Sequence, residues 1–463
     1  MKSLIMSGAL SAALALAGGA GPAGAETLAD ALVKAYQTSP LLESNRAALR
    51  SQNEAVPQAR ANLRPQVDLN LQANTQSTVE DIADQLNQTQ AALNVSLTLF
   101  DNGQTKAAIE SARNTVAAGR ADLTSVEQTV LFNAVQAYVD VRRGQEFVRL
   151  GQNDVQRLNE TLDATRNRFE VGEVTRTDVS QSESRLAASR SSLSDAQGAL
   201  ETARQAYLAA VGTLPVNLQP PPPLPQLPKT LAEATQIGIQ RNPAIVSAQF
   251  RERSAVYDFD RALAAKGPTI GVSAQGGFER GQQFVGGPYD GNTYGQAGIG
   301  LSMPLYSGGR NDSLVRQAQA VLNQRRYELQ DTGRQVTQGV AVAWSQLDVS
   351  RSNIVARREQ AEAARIAAEG VAEEARLGAR STLDVLDADQ ERLQAEAEIV
   401  QALRDEYVAG YSLLQAMGLL TVAHLKLGIE TYDPDVDYRK VRNGPIGGYD
   451  TSAVNRIRQR WEH

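Results

Sequence analysis

Cysteine is absent from the chain of 463 residues, and histidine occurs only twice, at His424 and His463. The absence of cysteine excludes disulfides, thiolate metal sites and a lipid-anchored cysteine. The sequence contains neither a phosphate-binding G-x-x-x-x-G-K-[ST] loop nor a G-x-S-x-G nucleophile elbow. We therefore expect no enzymatic activity and no cofactor, and we expect His424 to be a solvated or capping residue beyond the last helix. A hydrolase that uses carboxylates alone is the remaining enzymatic alternative, although no pocket is evident for it.

A strong excess of charge is also missing, because the formal net charge is -6 at pH 7. Nucleic-acid-binding proteins usually carry a basic patch or stripe. A mildly acidic balance therefore argues against a nucleic-acid partner.

Long hydrophobic runs are missing as well. Beyond residue 25 no apolar run approaches the ~18 residues of a membrane-spanning helix. Residues 1–25 carry Lys2, an apolar run from Leu4 to Ala17 and the sequence Ala23-Gly24-Ala25. This layout predicts a secretory signal peptide over residues 1–25 and a mature chain that starts at Glu26. An uncleaved anchor helix is the alternative.

Proline is missing from two long tracts, one between Pro65 and Pro215 and one between Pro304 and Pro434. Both tracts are rich in Ala, Gln, Glu, Arg and Leu, the strongest helix formers. They predict long helices that are interrupted around Gly172 and Gly378. A continuous helix from residue 102 to about 170 would be on the order of 100 Å long. A chain with such helices is not a compact globule, whose radius of gyration would be ~22 Å.

Strict alternation of apolar and polar residues predicts strands over Gln66–Asn74 and Gln90–Phe100. Each run is about the length of a strand that crosses a bilayer with a tilt of ~45°. A hairpin that covers a soluble core would show the same alternation, so this pattern alone leaves both alternatives open.

The chain is internally duplicated, because Leu28–Pro40 aligns with Leu231–Pro243 and later landmarks align in the same order. The second half contains its own alternating runs, around Ile270–Ala274 and Ala297–Met303. The predicted organisation is a signal peptide (1–25), a first repeat (26–213), a proline-rich linker (214–230), a second repeat (231–420) and a polar C-terminal tail (421–463). Each repeat is predicted to contain a helix, a strand pair and a long helical hairpin.

The four candidate membrane strands of one chain would require partner chains. Backbone groups in hydrocarbon must all be paired, and the smallest single-chain barrels have about eight strands. Two copies would supply eight strands and three would supply twelve, and the alternation does not choose between them. An eight-stranded barrel would be filled by its own side chains.

Two segments that surround the predicted helix interruptions resemble a known family. RFEVGEVTRTDV (Arg168–Val179) and ARLGARSTLDVLDADQ (Ala375–Gln390), together with the duplication and the strand pairs, are similar to the TolC family of bacterial outer-membrane efflux proteins. The resemblance covers residues 28 to about 420. It implies a mainly α protein with a membrane β-barrel, forming a homotrimer with a twelve-stranded barrel in the outer membrane and a twelve-helix barrel across the periplasm. It also implies partners at the inner end, namely a periplasmic adaptor (membrane fusion) protein and an inner-membrane pump of RND or ABC type.

Asp384 and Asp387 are spaced i, i+3, so that on a helix their carboxylates share one face. Two interpretations are open from spacing alone. Ser381-Thr382-Leu383-Asp384 is typical of a capping box at a helix start. Alternatively, a threefold axis would assemble a ring of six carboxylates that favours cations. The resemblance implies the second role, with both residues lining the pore aperture.

The resemblance further implies an aperture latch in which Arg380 pairs with Thr177 and Asp178 of a neighbouring hairpin. A tyrosine that takes part in this latch elsewhere in the family is replaced here by Ala375. Gly172 and Gly378 are predicted to be the tips that dock the adaptor, and they would also reverse each helical hairpin.

A non-channel periplasmic coiled-coil structural or adaptor protein is an alternative function. It would share the long helices but would not need amphipathic strands in both halves.

A cluster of aromatic residues at the strand ends predicts an interfacial girdle, although strand propensity explains it nearly as well. These residues are Phe100, Phe278, Phe284, Tyr289, Tyr294 and Tyr306.

Overall fold

The computed structural model describes residues 25–78, 81–281 and 288–442. The predicted signal peptide and the last part of the predicted tail lie outside these ranges, and so does Phe284. The elements of the first half are α1 (Leu28–Thr38), α2 (Pro40–Asn53), α3 (Ala55–Ala61), β1 (Gln66–Thr78), β2 (Asp81–Phe100), α4 (Gln104–Glu170) and α5 (Arg176–Val211). Those of the second half are α6 (Leu231–Arg241), α7 (Pro243–Ala264), β3 (Thr269–Gly281), β4 (Asp290–Ser302), α8 (Arg310–Arg376), α9 (Thr382–Ala416) and α10 (Pro434–Val441).

The two proline-free tracts contain helical hairpins of nearly equal size, and the first tract also contains β1 and β2. Helices α4 and α8 contain 67 residues each, and their partners α5 and α9 contain 36 and 35 residues. A helix of this length extends for about 100 Å. The expected continuous helices are therefore confirmed, and the order of elements repeats between the two halves.

The N-terminal helices begin at side-chain caps. Thr27 Oγ1 accepts the N–H of Asp30, and the Asp30 carboxylate accepts the N–H of Thr27, which forms a capping box for α1. Helices α1 and α2 are separated at Ser39. This serine caps α2, and Pro40 takes the first helical position, where the missing N–H has no cost.

The four strands form one antiparallel sheet in the order β1-β2-β3-β4. The strands are longer than the predicted alternating runs, with 13 residues in β1 and 20 in β2. The sheet also joins the two halves of the chain, because β2 pairs with β3. Within the described residues, β1 and β4 are therefore paired along one side only.

The register aligns the apolar positions of all four strands on one face. Leu69 is opposite Leu93, Val95 is opposite Ala274, and Ala274 is opposite Ala297. This face is bare in the single chain, since Ile299 is 75% exposed. Residues that pair directly across an antiparallel sheet lie on the same face. The alternation seen in each strand is thus combined into one continuous apolar surface.

A bulge near the end of β2 changes the position of one predicted girdle residue. The register shifts between Thr98 and Phe100, so that Phe100 pairs with Ile270 on the apolar face.

A second predicted girdle residue, Tyr294, lies on the opposite, polar face, where its hydroxyl accepts hydrogen bonds from Gln90 Nε2 (2.8 Å) and Gln275 Nε2 (3.2 Å). The prediction that Tyr294 belongs to an interfacial girdle is therefore wrong, because its side chain faces the amide-rich surface.

The main hydrophobic core lies where α1 and the proline-rich linker meet the long helices. Tyr138 of α4 and Tyr207 of α5 are fully buried, with ring centroids 6.5 Å apart. Tyr138 donates its hydroxyl to the backbone oxygens of Glu26 (3.1 Å) and Gln219 (2.7 Å). Burial raises the pKa of Tyr138 to about 12. The same residue thus connects the N-terminal segment, the linker and α4.

The linker contains neither helix nor strand, and it lies against the helices. The Tyr407 hydroxyl of α9 contacts the backbone oxygens of Pro221 (3.1 Å) and Pro222 (3.0 Å), and Leu218 is buried in the core. The linker is therefore packed against the long helices.

The described part of the predicted tail packs against the helices. Asp435 of α10 forms an ion pair with Arg120 of α4 (2.7 Å), and the Tyr432 N–H donates to the Tyr36 hydroxyl (3.1 Å). His424 is exposed beyond α9. In the described ranges no helix combines the length and the apolar character needed to cross a bilayer.

Candidate pore aperture and docking tips

The two hairpins turn with the same backbone geometry at Gly172 and Gly378. Gly172 has φ +79° and Gly378 has φ +78°, in the left-handed region where a side chain is strained. In the first turn the N–H of Gly172 donates to Phe169 O (2.9 Å), and that of Glu173 donates to Arg168 O (2.9 Å). This pair of bonds defines a Schellman motif. The second turn repeats it, with Gly378 donating to Ala375 O (3.1 Å) and Ala379 to Glu374 O (2.9 Å).

Each turn glycine follows a bare apolar residue that the sequence analysis missed. Val171 is 71% exposed and Leu377 is 80% exposed. They hold equivalent positions, as the last residues before Gly172 and Gly378. The signal that could have found them is an apolar residue directly before the turn glycine in both repeats.

The second helix of each hairpin begins at a capping box. Thr175 Oγ1 accepts the N–H of Asp178 (3.3 Å), and the Asp178 carboxylate accepts the N–H of Thr175 (2.8 Å). Hydrogen bonds from Thr175 lower the pKa of Asp178 below its ordinary value. Asp178 is therefore part of the cap of α5.

Asp384 has the same arrangement in the second hairpin. Its carboxylate accepts the N–H of Ser381 (3.0 Å), and its own N–H donates to Ser381 Oγ (3.2 Å). The backbone hydrogen bond from Ser381 lowers the pKa of Asp384, so the side chain is charged at neutral pH. Asp384 and Asp387 are both exposed, while Leu386 between them is buried. Capping leaves this carboxylate accessible, and the two interpretations are therefore compatible.

Asp387 has a partner on the first hairpin, which the sequence analysis did not find. Arg185 Nη2 of α5 lies 2.6 Å from Asp387 Oδ1. No sequence spacing predicts this contact, because the two residues belong to hairpins far apart in the chain.

The predicted latch residues are not in contact within one chain. Arg380 Nε donates to Glu374 Oε2 at 2.8 Å, in the same tip. Asp178 is engaged by its own cap, and Thr177 is exposed. Because the latch is expected between neighbouring hairpins, the pairing of Arg380 with Thr177 and Asp178 stays a prediction.

The sheet has one exposed apolar face and leads into two helical hairpins whose long helices extend for about 100 Å. This combination is typical of a class of proteins that join a membrane sheet to a helical tunnel. A sequence profile described as "Outer membrane efflux protein" matches residues 31–213 and 235–419. The chain belongs to the outer membrane efflux protein family, and the resemblance to the TolC family is confirmed.

Relatives of known name agree with this assignment. The chain is 34% identical to the outer membrane efflux protein BepC of Brucella suis biovar 1 (strain 1330) over 436 residues, which cover 91% of this chain and 92% of BepC. It is 26% identical to the outer membrane protein TolC of Escherichia coli (strain K12) over 429 residues, which cover 88% and 85%. Among solved structures, crystal structures of CusC match with a TM-score of 0.74 at 18% identity, covering 85% of this chain and 92% of CusC. The last match supports the fold alone.

The chain is therefore an outer-membrane exit duct that extends into the periplasm. Its relatives are channel-type transport proteins.

Proposed function

We propose that three copies of this chain assemble into one duct, with a twelve-stranded barrel in the outer membrane and a twelve-helix tunnel across the periplasm. The observation that carries this proposal is the sheet, in which β1 and β4 are unpaired along their outer sides within the described residues. Such edges are not tolerated in hydrocarbon. Strand direction alternates along the sheet, so β4 of one copy would lie antiparallel to β1 of the next and would continue the same pattern.

Three copies fit the dimensions of a duct better than two. Two copies would form a barrel of about eight strands, whose interior is filled by side chains. Three copies leave a channel, with the polar face of the sheet inward and the apolar face toward lipid. Each copy would add α4, α5, α8 and α9 to the tunnel below the barrel.

The aperture of the duct would lie at the tips, because α4 and α8 start beside the sheet and end about 100 Å away from it. A threefold axis through the tips would bring together Asp384 and Asp387 of all copies as an acidic ring that attracts cations. Arg380 of one hairpin would meet Thr177 and Asp178 of its neighbour and hold the aperture closed. Exposed ion pairs of this kind contribute ~0.2–1 kcal/mol each, which a docked partner can overcome.

The tips would bind the periplasmic adaptor, and through it an inner-membrane pump of RND or ABC type. The exposed Val171 and Leu377, next to Gly172 and Gly378, support this proposal, since water-exposed apolar side chains are a favourable contact for a partner. The pump supplies the energy, and the duct conducts efflux or type I secretion cargo passively.

Purified full-length protein in detergent tests the proposal. We expect a trimer in sedimentation and discrete conductance steps in a planar bilayer. A monomer, or a protein that forms no pores, would instead support the non-channel coiled-coil adaptor or structural protein. Deleting the protein in its host and comparing secreted protein with antibiotic susceptibility identifies the cargo.

A further inference from the structure

The tip halves of the two hairpins are linked by a side chain of α5. Arg185 donates from Nη2 to Asp387 Oδ1 at 2.6 Å and from Nη1 to Gln390 Oε1. Asp387 and Gln390 are one helical turn apart on α9, so the planar guanidinium contacts both at once. We call this contact the Arg185 link.

The Arg185 link lies beside a small buried cluster. Leu386 of α9 is 2% exposed and packs against Leu158 and Leu162 of α4 and Leu186 of α5. Leu186 directly follows Arg185, and Leu386 directly precedes Asp387. The apolar contact therefore fixes the distance between α5 and α9, and the Arg185 link closes the exposed side of the same contact.

Other polar contacts between the hairpins lie farther from the tips. Arg404 contacts Asp140 (2.9 Å) and Arg143 contacts Gln401 (3.1 Å), near the middle of α4. Between these contacts and the tip turns, within residues 25–78, 81–281 and 288–442, we find no other side-chain hydrogen bond or ion pair that joins the two hairpins. Within the described residues, the Arg185 link is therefore the polar side-chain contact between the tip halves of the two hairpins.

We propose that Arg185 is a gating residue of the duct, which holds the two hairpins of each chain together in the closed state and neutralises one of the two aperture carboxylates. This inference rests on the proposed function. The link is half exposed, with relative side-chain exposures of 37% for Arg185 and 53% for Asp387. Each copy of the link is therefore weak, and the threefold repetition makes the set effective while a docked partner can still open it.

The link also assigns different roles to the two acidic residues. Asp387 is paired with Arg185, whereas Asp384 is held by its own helix cap. In the closed duct the free negative charge of the aperture is then mainly that of Asp384. Breaking the link from the Arg185 side would release the charge of Asp387, and breaking it from the Asp387 side would remove that charge.

Planar-bilayer recordings of full-length trimers test this inference with Arg185→Gln, Asp387→Asn and Arg166→Gln. Arg166→Gln is the matched control, because Arg166 forms an exposed ion pair with Glu183 (2.7 Å) inside the first hairpin. We expect Arg185→Gln and Asp387→Asn to raise the open fraction by about 1.5- to 5-fold per chain, the range for loss of an exposed ion pair. We expect Arg166→Gln to have the open fraction of the wild type.

Block by a divalent cation separates gating from a general loss of structure. Arg185→Gln and Asp387→Asn both break the link, but only the first keeps the Asp387 carboxylate, so we expect it to be blocked at several-fold lower cation concentration. The double variant Arg185→Glu/Asp387→Arg restores the ion pair and should restore the low open fraction of the wild type. Arg185→Lys, which reaches a single partner, should be intermediate.

The outcomes against the inference are distinct from those against the proposed function. The gating role would be overturned if Arg185→Gln had the open fraction of the wild type, or if Arg185→Gln and Arg166→Gln had equal open fractions. Failure of the charge reversal to restore closure would also overturn it. Absence of channels from the wild-type protein would instead overturn the duct itself.

Discussion

Asp178 and Asp384 hold the same position in the two hairpins, the third residue of a helix, and each accepts the backbone N–H of its own cap residue, Thr175 or Ser381. The two repeats thus build their tips from the same local device. In the second hairpin, the next acidic residue, Asp387, is turned toward the neighbouring hairpin.

Loss of a cap should loosen one tip locally. We expect Thr175→Ala or Ser381→Ala to destabilise the first turn of α5 or α9 by about 0.5–2 kcal/mol. Hydrogen exchange of amides in that turn measures the effect, which should spare the middle of the helix because helix ends open locally. Thr175→Ser and Ser381→Thr are the controls and should retain protection. Equal protection in the alanine variants would contradict a capping role.

The tip turns should be sensitive to both backbone strain and polarity. Gly172→Ala and Gly378→Ala should each destabilise the fold by about 1–2 kcal/mol through the left-handed backbone alone, since a Cβ at either site meets no atom within 4 Å.

We expect Val171→Asp with Leu377→Asp to abolish adaptor binding in a pull-down with the purified adaptor. Val436→Asp, at an exposed position on α10, is the control. Retained binding by the double variant would remove the tips from the docking surface.

The acidic ring should determine cation block. We expect Asp384→Asn with Asp387→Asn to weaken block by divalent or trivalent cations at least tenfold, because the ring loses all of its charge. The measurement is the half-blocking concentration in a planar bilayer. Equal block of variant and wild type would exclude a ring at the constriction.

The latch predicts opposite effects of two neighbouring changes. Arg380→Gln should raise single-channel conductance, whereas Glu374→Gln should lower the open fraction, because it frees Arg380 from its 2.8 Å contact within the tip. Asp178→Asn should also raise conductance. Thr175→Ala is its control, since it disturbs the cap but keeps the carboxylate. Unchanged conductance of both Arg380→Gln and Asp178→Asn would remove the latch.

A partly buried carboxylate near the core should make stability depend on pH. Glu127 of α4 accepts the N–H of Val422 at 2.8 Å, and burial raises its pKa above the ordinary value of 4.5. The folded state then binds the proton more tightly than the unfolded state, so the stability contribution of this group falls as pH rises from below 4.5 through the folded pKa. Glu127→Gln should therefore raise the melting temperature near pH 7 and have little effect below pH 4.5.

The control for this prediction is Glu160→Gln, an exposed glutamate on the same helix. Glutamine at position 127 still provides an oxygen for the Val422 N–H, so the comparison isolates the charge. A melting temperature that changes equally at both pH values would contradict the predicted linkage.

The local structure of this chain is determined by its sequence to an unusual degree. A composition of strong helix formers without proline predicts α4 and α8, because helix propensity summed over a long window is informative. Alternation marks the strands, and T-x-x-D and S-x-x-D before a helix mark the caps at Thr175 and Ser381. The duplication is visible for the same reason, since each repeat needs the same turns at the same places.

Tertiary structure determined how these elements pair and pack against one another. The register that places Leu69, Leu93, Ala274 and Ala297 on one face depends on pairing between β2 and β3, which come from different halves of the chain. The bulge before Phe100 and the position of Tyr294 on the polar face follow from that register. The Arg185 link follows from the packing of Leu386 between two hairpins. Such contacts depend on the relative positions of distant segments, and a local pattern of propensity and spacing carries no information about them.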